Sequence, residues 1–285
     1  MEKFMRLDSH IHLWSLDDGQ KHWMRDKIAG LHRDFTETDL RNLTSKCSVD
    51  YAIVVQAHHT KEETFHWLKR ANINKQLVGV IGYLDILDNN FENDLESFLS
   101  NPKFVGLRPL PNDTFGGDWF KTEAAVASMK ILNKKNVSVD TLQPVENLSN
   151  ARKFFRKFDG LKLVLNHAGR PAVMTGELKD WKNELKLFAQ ETNAMVKCSG
   201  LVERAGVEWT KKTISPYVET IIEVFGTERV MFGTNWPVMT ISSTYDLWVN
   251  TLNDILTDLN LSQEVIDNIM GRNAFNHYGI GSVLD

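Results

Sequence analysis

The chain of 285 residues has only two cysteines, Cys47 and Cys198, far apart in sequence. That excludes a disulfide scaffold and a zinc site built from thiolates. No run of 18 apolar residues occurs, which excludes a transmembrane helix. The opening MEKFMRLDSH lacks the basic-then-apolar pattern of a secretory leader, so the expected location is the cytoplasm. A basic tract is missing too: 33 Lys and Arg stand against 37 Asp and Glu, a formal charge of −4. Nucleic acid and anionic membrane are therefore not expected as partners. A small molecule is, with homo-oligomerisation left open. No linker or low-complexity tract divides 1–285, which reads as one domain.

Against these absences stands a regular supply of short apolar runs in a composition ordinary for a globular chain. They are Phe4–Asp8, Tyr51–Gln56, Leu77–Leu84, Phe104–Arg108, Val137–Thr141, Leu161–Asn166, Ala194–Ser199 and Arg229–Asn235. Several, such as YAIVVQ and LKLVLN, are nearly continuous in apolar residues, as strands covered on both faces require. Segments with helical spacing lie between them: Glu62–Asn72, Phe91–Leu99, Thr122–Lys135, Glu146–Phe158, Leu178–Glu191, Ser215–Phe225 and Tyr245–Leu259. Gly160, Gly226 and Gly271 follow helical segments where a left-handed stop is expected. The long first connection should hold a helix capped by Thr36 with Asp39 three residues on, and a last helix should begin after Ser262 and stop at Gly271. The runs begin every 24 to 47 residues, the rhythm of a repeated strand–helix unit. Eight such units make one (β/α)8 TIM barrel, an α/β fold of typically about 250 residues. A doubly wound sheet is the alternative, but no Gly-rich dinucleotide or phosphate-loop turn follows the first run.

In a barrel the active site forms where strands end, so the strand ends are where chemistry is sought. The first gives Asp8, His10 and His12, with Trp14 beyond; the second Gln56, His58 and His59; the fourth Arg108; the fifth Asp140. The sixth gives Asn166 and His167, the seventh Lys197 and Ser199, the eighth Asn235 and Trp236. D-S-H-I-H at 8–12 is the sharpest motif. Side chains two apart share a strand face, so Asp8, His10 and His12 are expected to converge on the mouth. Two imidazoles there suit a divalent metal or polarise a carbonyl without one. The alternative is a polar strand end satisfied by backbone carbonyls. His167 gains value from that pair. Arg108, beside Gly106, suits a carboxylate or lactone oxygen. Asn235 can hold a water but cannot take its proton at neutral pH. Cys198 reads as core; His22, His32, His66 and His277 read as surface or packing residues. Trp14, Trp23, Trp119 and Trp236 are either an apolar wall over a ligand or ordinary packing.

Taken in order, D-S-H-I-H-L-W, Q-A, G-L-R, D-T-L, L-N-H-A-G-R-P, K-C-S-G-L and F-G-T-N-W-P-V resemble one family over nearly the whole chain. It is the amidohydrolase-related group, and within it the sugar-acid lactonase-like branch. That branch includes L-fuconolactone, L-rhamnonolactone and galactarolactone hydrolases, with metal-independent pyrone-dicarboxylate lactonases nearby. The resemblance implies a (β/α)8 barrel that opens a lactone ring. His10 and His12 match the first-strand histidines, His167 the sixth-strand histidine, and Arg108 an arginine that holds a substrate carbonyl or carboxylate. Asn235 stands where active relatives carry an aspartate that orients or deprotonates water, and Asn166 likewise replaces an aspartate.

Hydrolysis of a small polar lactone of a sugar acid is the function this implies. His10, His12 and Arg108 would stabilise the oxyanion, and His167 or Asp8 would take the proton if Asn235 only positions water. Gln56, His58 and Asp140 would read the hydroxyls, with Trp14 or Trp236 against the sugar ring. One zinc or manganese ion on His10, His12 and His167 and a metal-free site are equally compatible with these residues. The alternatives are a metal-dependent decarboxylase or hydratase of the same superfamily, and a barrel that binds a sugar acid after losing its base.

Overall fold

A computed structural model of the chain describes residues 4–16, 28–109 and 117–283. Eight parallel strands pair in sequence order: β1 (Leu7–Ile11), β2 (Tyr51–Val55), β3 (Leu77–Gly82), β4 (Phe104–Leu107), β5 (Ser138–Thr141), β6 (Leu163–Leu165), β7 (Met195–Cys198) and β8 (Val230–Phe232). The sheet closes just past the end of β8. Asn235 N donates to His10 O (2.9 Å) and His12 N to Trp236 O (2.7 Å). The fold is a (β/α)8 TIM barrel. Helices α1 (Glu37–Thr44), α2 (Lys61–Ala71), α3 (Phe91–Leu99), α4 (Glu123–Lys134), α5 (Val145–Phe155), α6 (Lys179–Glu191), α7 (Lys211–Phe225) and α8 (Tyr245–Asp258) surround it. None of the described helices is long and apolar enough to cross a membrane.

The apolar residues divide into two clusters, as a barrel with covered strands demands. Leu7, Ile53, Val55, Val78, Val164 and Met231 fill the lumen. Ala52, Val54, Val139, Val196 and Phe232 face outward against helix residues such as Leu68, Phe98 and Leu252. Leu7 and Ile11, four apart on β1, should share a face, yet Leu7 lies in the lumen and Ile11 outside it. A register shift between Asp8 and Ile11 causes the switch. It decides where the motif's side chains point.

The Thr36 cap forms as expected: its hydroxyl accepts from Asp39 N, and Asp39 accepts from Thr36 N (2.9 Å). Other boundaries move. The first strand spans Leu7–Ile11 rather than Phe4–Asp8, because pairing with β2 begins only at Leu7. α7 starts at Lys211, four residues before the expected Ser215, because Thr210 caps it. Gly271 does not stop the last helix. It lies in a π-helical turn, Asn268–Arg272, where an added Cβ would stand 2.6 Å from Met5 O, so glycine is needed for close approach. The helical path, α9 (Gln263–Asp267) and α10 (Asn273–Tyr278), ends instead at left-handed Gly279. Ala274 and Tyr278 of α10 join the lumen cluster and close the barrel's lower end. His22 and Trp23 lie outside the described residues.

Candidate active site

At the C-terminal ends of the strands, His12, Arg108, Leu142, His167, Arg170, Gly200, Glu203, Arg204 and Asn235 line a cavity of about 170 Å3. Behind them, His10 packs its ring 4.4 Å from that of His167. Each is delivered by a nameable local device. The seam bonds at His10 and His12 set the β1 histidines beside Asn235. His167 opens a turn in which His167, Ala168, Gly169 and Arg170 all have positive φ, a conformation costing L-residues about 1–2 kcal/mol each. Gly200 passes so close that an added Cβ would stand 2.4 Å from His167 Cβ. Such strain persists only where surrounding structure enforces it.

The tautomers follow from the partners. His12 Nδ1 lies 2.8 Å from Val55 O; a carbonyl only accepts, so Nδ1 carries a proton and Nε2 is the nitrogen turned to His10. That Nε2 is 3.3 Å from His10 Nε2. His10 Nδ1 is buried without a partner among the described residues. Burial, then neighbouring cationic and imidazole groups, hold His10 and His167 well below the usual histidine range, so both are neutral at pH 7. His167 Nδ1 meets Ser199 Oγ at 2.9 Å. Arg108 is pushed down to about 10, chiefly by burial, and stays charged. Its Nη2 donates to Gln56 O and, at 3.2 Å, to Gln56 Oε1, while Nη1 lies 3.5 Å from His10 Nε2.

Several candidates go elsewhere. Asp8, placed before the register shift, does not converge with the histidines. Its carboxylate accepts from His10 N (3.1 Å), Thr234 N (3.0 Å), Thr234 Oγ1 (2.6 Å) and Tyr245 OH (3.0 Å). Burial raises it to about 6, and those four donors make it a staple between β1, the end of β8 and α8. Asp140 lies in the lumen, ion-paired with Lys197 (2.7 Å) and bonded by Tyr278 OH (2.9 Å). It has no place in the cavity wall. Gln56 braces Arg108. His58 and Trp14 line a separate cavity of about 550 Å3 beside α1 and α2. The rings of Trp14 and Trp236 both pack edge-on against Phe35, which is packing rather than a wall over this cavity.

Three charged residues of the cavity wall, Arg170, Arg204 and Glu203, are not among the sequence candidates. Glu203 lies on a short 3-10 turn, Val202–Arg204, directly after β7. Its Oε1 accepts from Asn235 Nδ2, and its Oε2 is buried without a partner among the described residues. Burial raises it to about 7 against the pull of the Asn235 bond. The signal was an acid two residues beyond K-C-S-G-L.

The histidines can be tested against a metal. A separation of 3.3 Å between two Nε2 atoms suits two ligands on one tetrahedral ion with bonds of about 2.0–2.1 Å. A catalytic centre needs a third protein ligand. Among the described residues no three His, Cys, Asp or Glu converge to hold a metal. The Arg108 cation stands 3.5 Å from His10 Nε2, and the acids the family resemblance implies at 166 and 235 are amides. The donor set does not fit a three-ligand centre.

The sequence profile of the amidohydrolase family matches residues 7–280. The chain belongs to the amidohydrolase family. Among its relatives is L-fucono-1,5-lactonase of Burkholderia ambifaria, 27% identical over 278 residues, covering 96% of each chain. A second L-fucono-1,5-lactonase, from Burkholderia multivorans, is 26% identical over 255 residues and 85% of each chain. A solved amidohydrolase from Burkholderia multivorans, crystallised with bound zinc, superposes with a TM-score of 0.87 at 24% identity. That match covers 96% of this chain and 99% of the other. At that identity the likeness speaks for the shared barrel alone.

Proposed function

We propose that this hydrolase opens a small polar lactone, the cyclic ester of a sugar acid, by attack of water on the ring carbonyl. The observation that carries the reading is the convergence of His12, His167, Arg108 and Asn235 on one cavity at the strand ends. Two relatives named as lactonases support it.

The carbonyl oxygen gathers charge as water adds, and a preorganised donor in a dry site stabilises that charge. Arg108 remains charged, is buried, and is aimed by Gln56. It is assigned the oxyanion, with His10 beside it. Asn235, fixed by its backbone bond to His10 O, orients the water. His167, held by Ser199, packs against His10 and sets the cavity wall. Asp8 is withdrawn as a base, since its oxygens are already engaged. The setting assigned is a reducing cytoplasm, which suits two free, buried cysteines.

The test is a pH-indicator screen of sugar-acid and dicarboxylate lactones, with purified protein before and after chelation. Proton release above the spontaneous rate, undiminished by chelator, is expected. Silence across the panel overturns the lactone reading, and carbon dioxide release from aromatic acids without lactone opening would replace it with decarboxylation.

A further inference from the structure

We propose that Glu203 is the general base that deprotonates the attacking water, doing from the turn after β7 what an acid at position 235 would do from the end of β8. The inference rests on the lactone reading above. Its geometry does not.

Four observations converge on this carboxyl. It lines the cavity that also holds Arg108, His167 and Asn235. One oxygen is held by the Asn235 amide, which fixes the carboxyl's position. The other, Oε2, is buried and has no partner among the described residues; a buried acceptor left open in this way is costly unless something binds there. Two other buried acids near the mouth are already engaged: Asp8 accepts from four donors, and both oxygens of Glu63 accept from the backbone, at Ala57 N and His58 N. With Nδ2 on Glu203, Asn235 keeps its Oδ1 for the water's second hydrogen. The carboxyl's affinity for protons agrees with the assignment. Burial raises it to about 7 while Asn235, Arg204 and Arg170 pull it down, and a base works best when its pKa lies near the operating pH.

The chemistry balances with water alone. Glu203 removes one proton as the water oxygen bonds to the lactone carbonyl carbon, and the carbonyl π pair moves onto oxygen. The carbonyl re-forms, the bond to the ring oxygen breaks, and the proton on Glu203 passes to that oxygen to give a hydroxyl. The new carboxylic acid releases a proton to solvent, leaving Glu203 ionised.

Glu203→Gln tests the assignment on the full chain. Its turnover of the best lactone from the screen is expected to fall by about 10²–10⁴-fold, the range of general-base contributions, with KM changed less than threefold. The wild-type kcat should rise with pH through about 7, because the base must be ionised, and the variant should lose that limb. The infrared difference between wild type and variant should show one protonated-carboxyl band titrating near 7, from which the bands of Asp8 and Glu63, common to both proteins, cancel. Equal turnover by both proteins, a retained limb, or no such band overturns Glu203 as the base while leaving the lactone reading standing. A silent wild type overturns both. Matching thermal melts confirm that the variant is folded; if it is not, Glu203→Asp and its infrared difference from wild type decide the question.

Discussion

Inside the barrel two groups of buried polar side chains occupy successive levels, and they use their hydrogen-bonding capacity differently. In the lumen, Lys197 answers Asp140 (2.7 Å) and donates to Ser9 O (2.7 Å), and Tyr278 OH reaches Asp140 from below. At the mouth, two residues further along β7, His10 Nδ1, Arg108 Nε, Glu203 Oε2 and both amide atoms of Asn166 have no partner among the described residues. An ion pair with Lys197 covers the buried carboxylate of the lower group, whereas the open atoms of the upper group have no such partner. Buried polar atoms are almost always satisfied, so five open atoms on four residues near the strand ends fit a site whose ligand supplies the missing bonds.

Replacing His10 with Ala should strike the upper level alone. Turnover is expected to drop by about a thousandfold, and full retained activity would break the assignment. Lys197→Met should do the reverse, leaving Asp140 buried and unpaired at a cost of about 3–5 kcal/mol. Urea denaturation would read this, and a Lys197→Met, Asp140→Asn double variant should recover much of the loss. Asn235→Asp sharpens the contrast further. It sets a second carboxylate against Glu203 and removes its donor, so one carboxyl must titrate higher. The rise of kcat with pH should move upward by about one unit, a loss of about fivefold at pH 7, where the base falls from half ionised to about a tenth. A gain in neutral-pH activity would instead show that 235 itself had lost the base. The smallest effect is Tyr278→Phe, about 1 kcal/mol of stability with kcat unchanged.

The barrel was readable because covered parallel strands are nearly continuous in apolar residues, and because the runs recur. His10, His12, Arg108, His167 and Asn235 could be picked out because each ends a strand, where the fold gathers side chains whatever the sequence between. Asp8 was misjudged because strict alternation was assumed, and a register shift between Asp8 and Ile11 has no signature in the letters D-S-H-I-H. Asp140 also ends a strand, but only Tyr278, 138 residues away, shows that it is already engaged. Glu203 escaped for the opposite reason. It belongs to a turn rather than a strand, and its partner Asn235 is 32 residues further on. Long-range pairings between polar side chains leave no periodicity to read.

The bonds that close the sheet, Asn235 N to His10 O and His12 N to Trp236 O, join the first strand to the segment after the last. On a chain growing from the ribosome, His10 and His12 emerge early and remain without their seam partners until residue 236 has been made. Fragments that end between residues 168 and 234 contain every histidine of the site and yet lack the bonds that close the sheet around it. The site is therefore complete only in a chain long enough for the two ends of the sheet to meet.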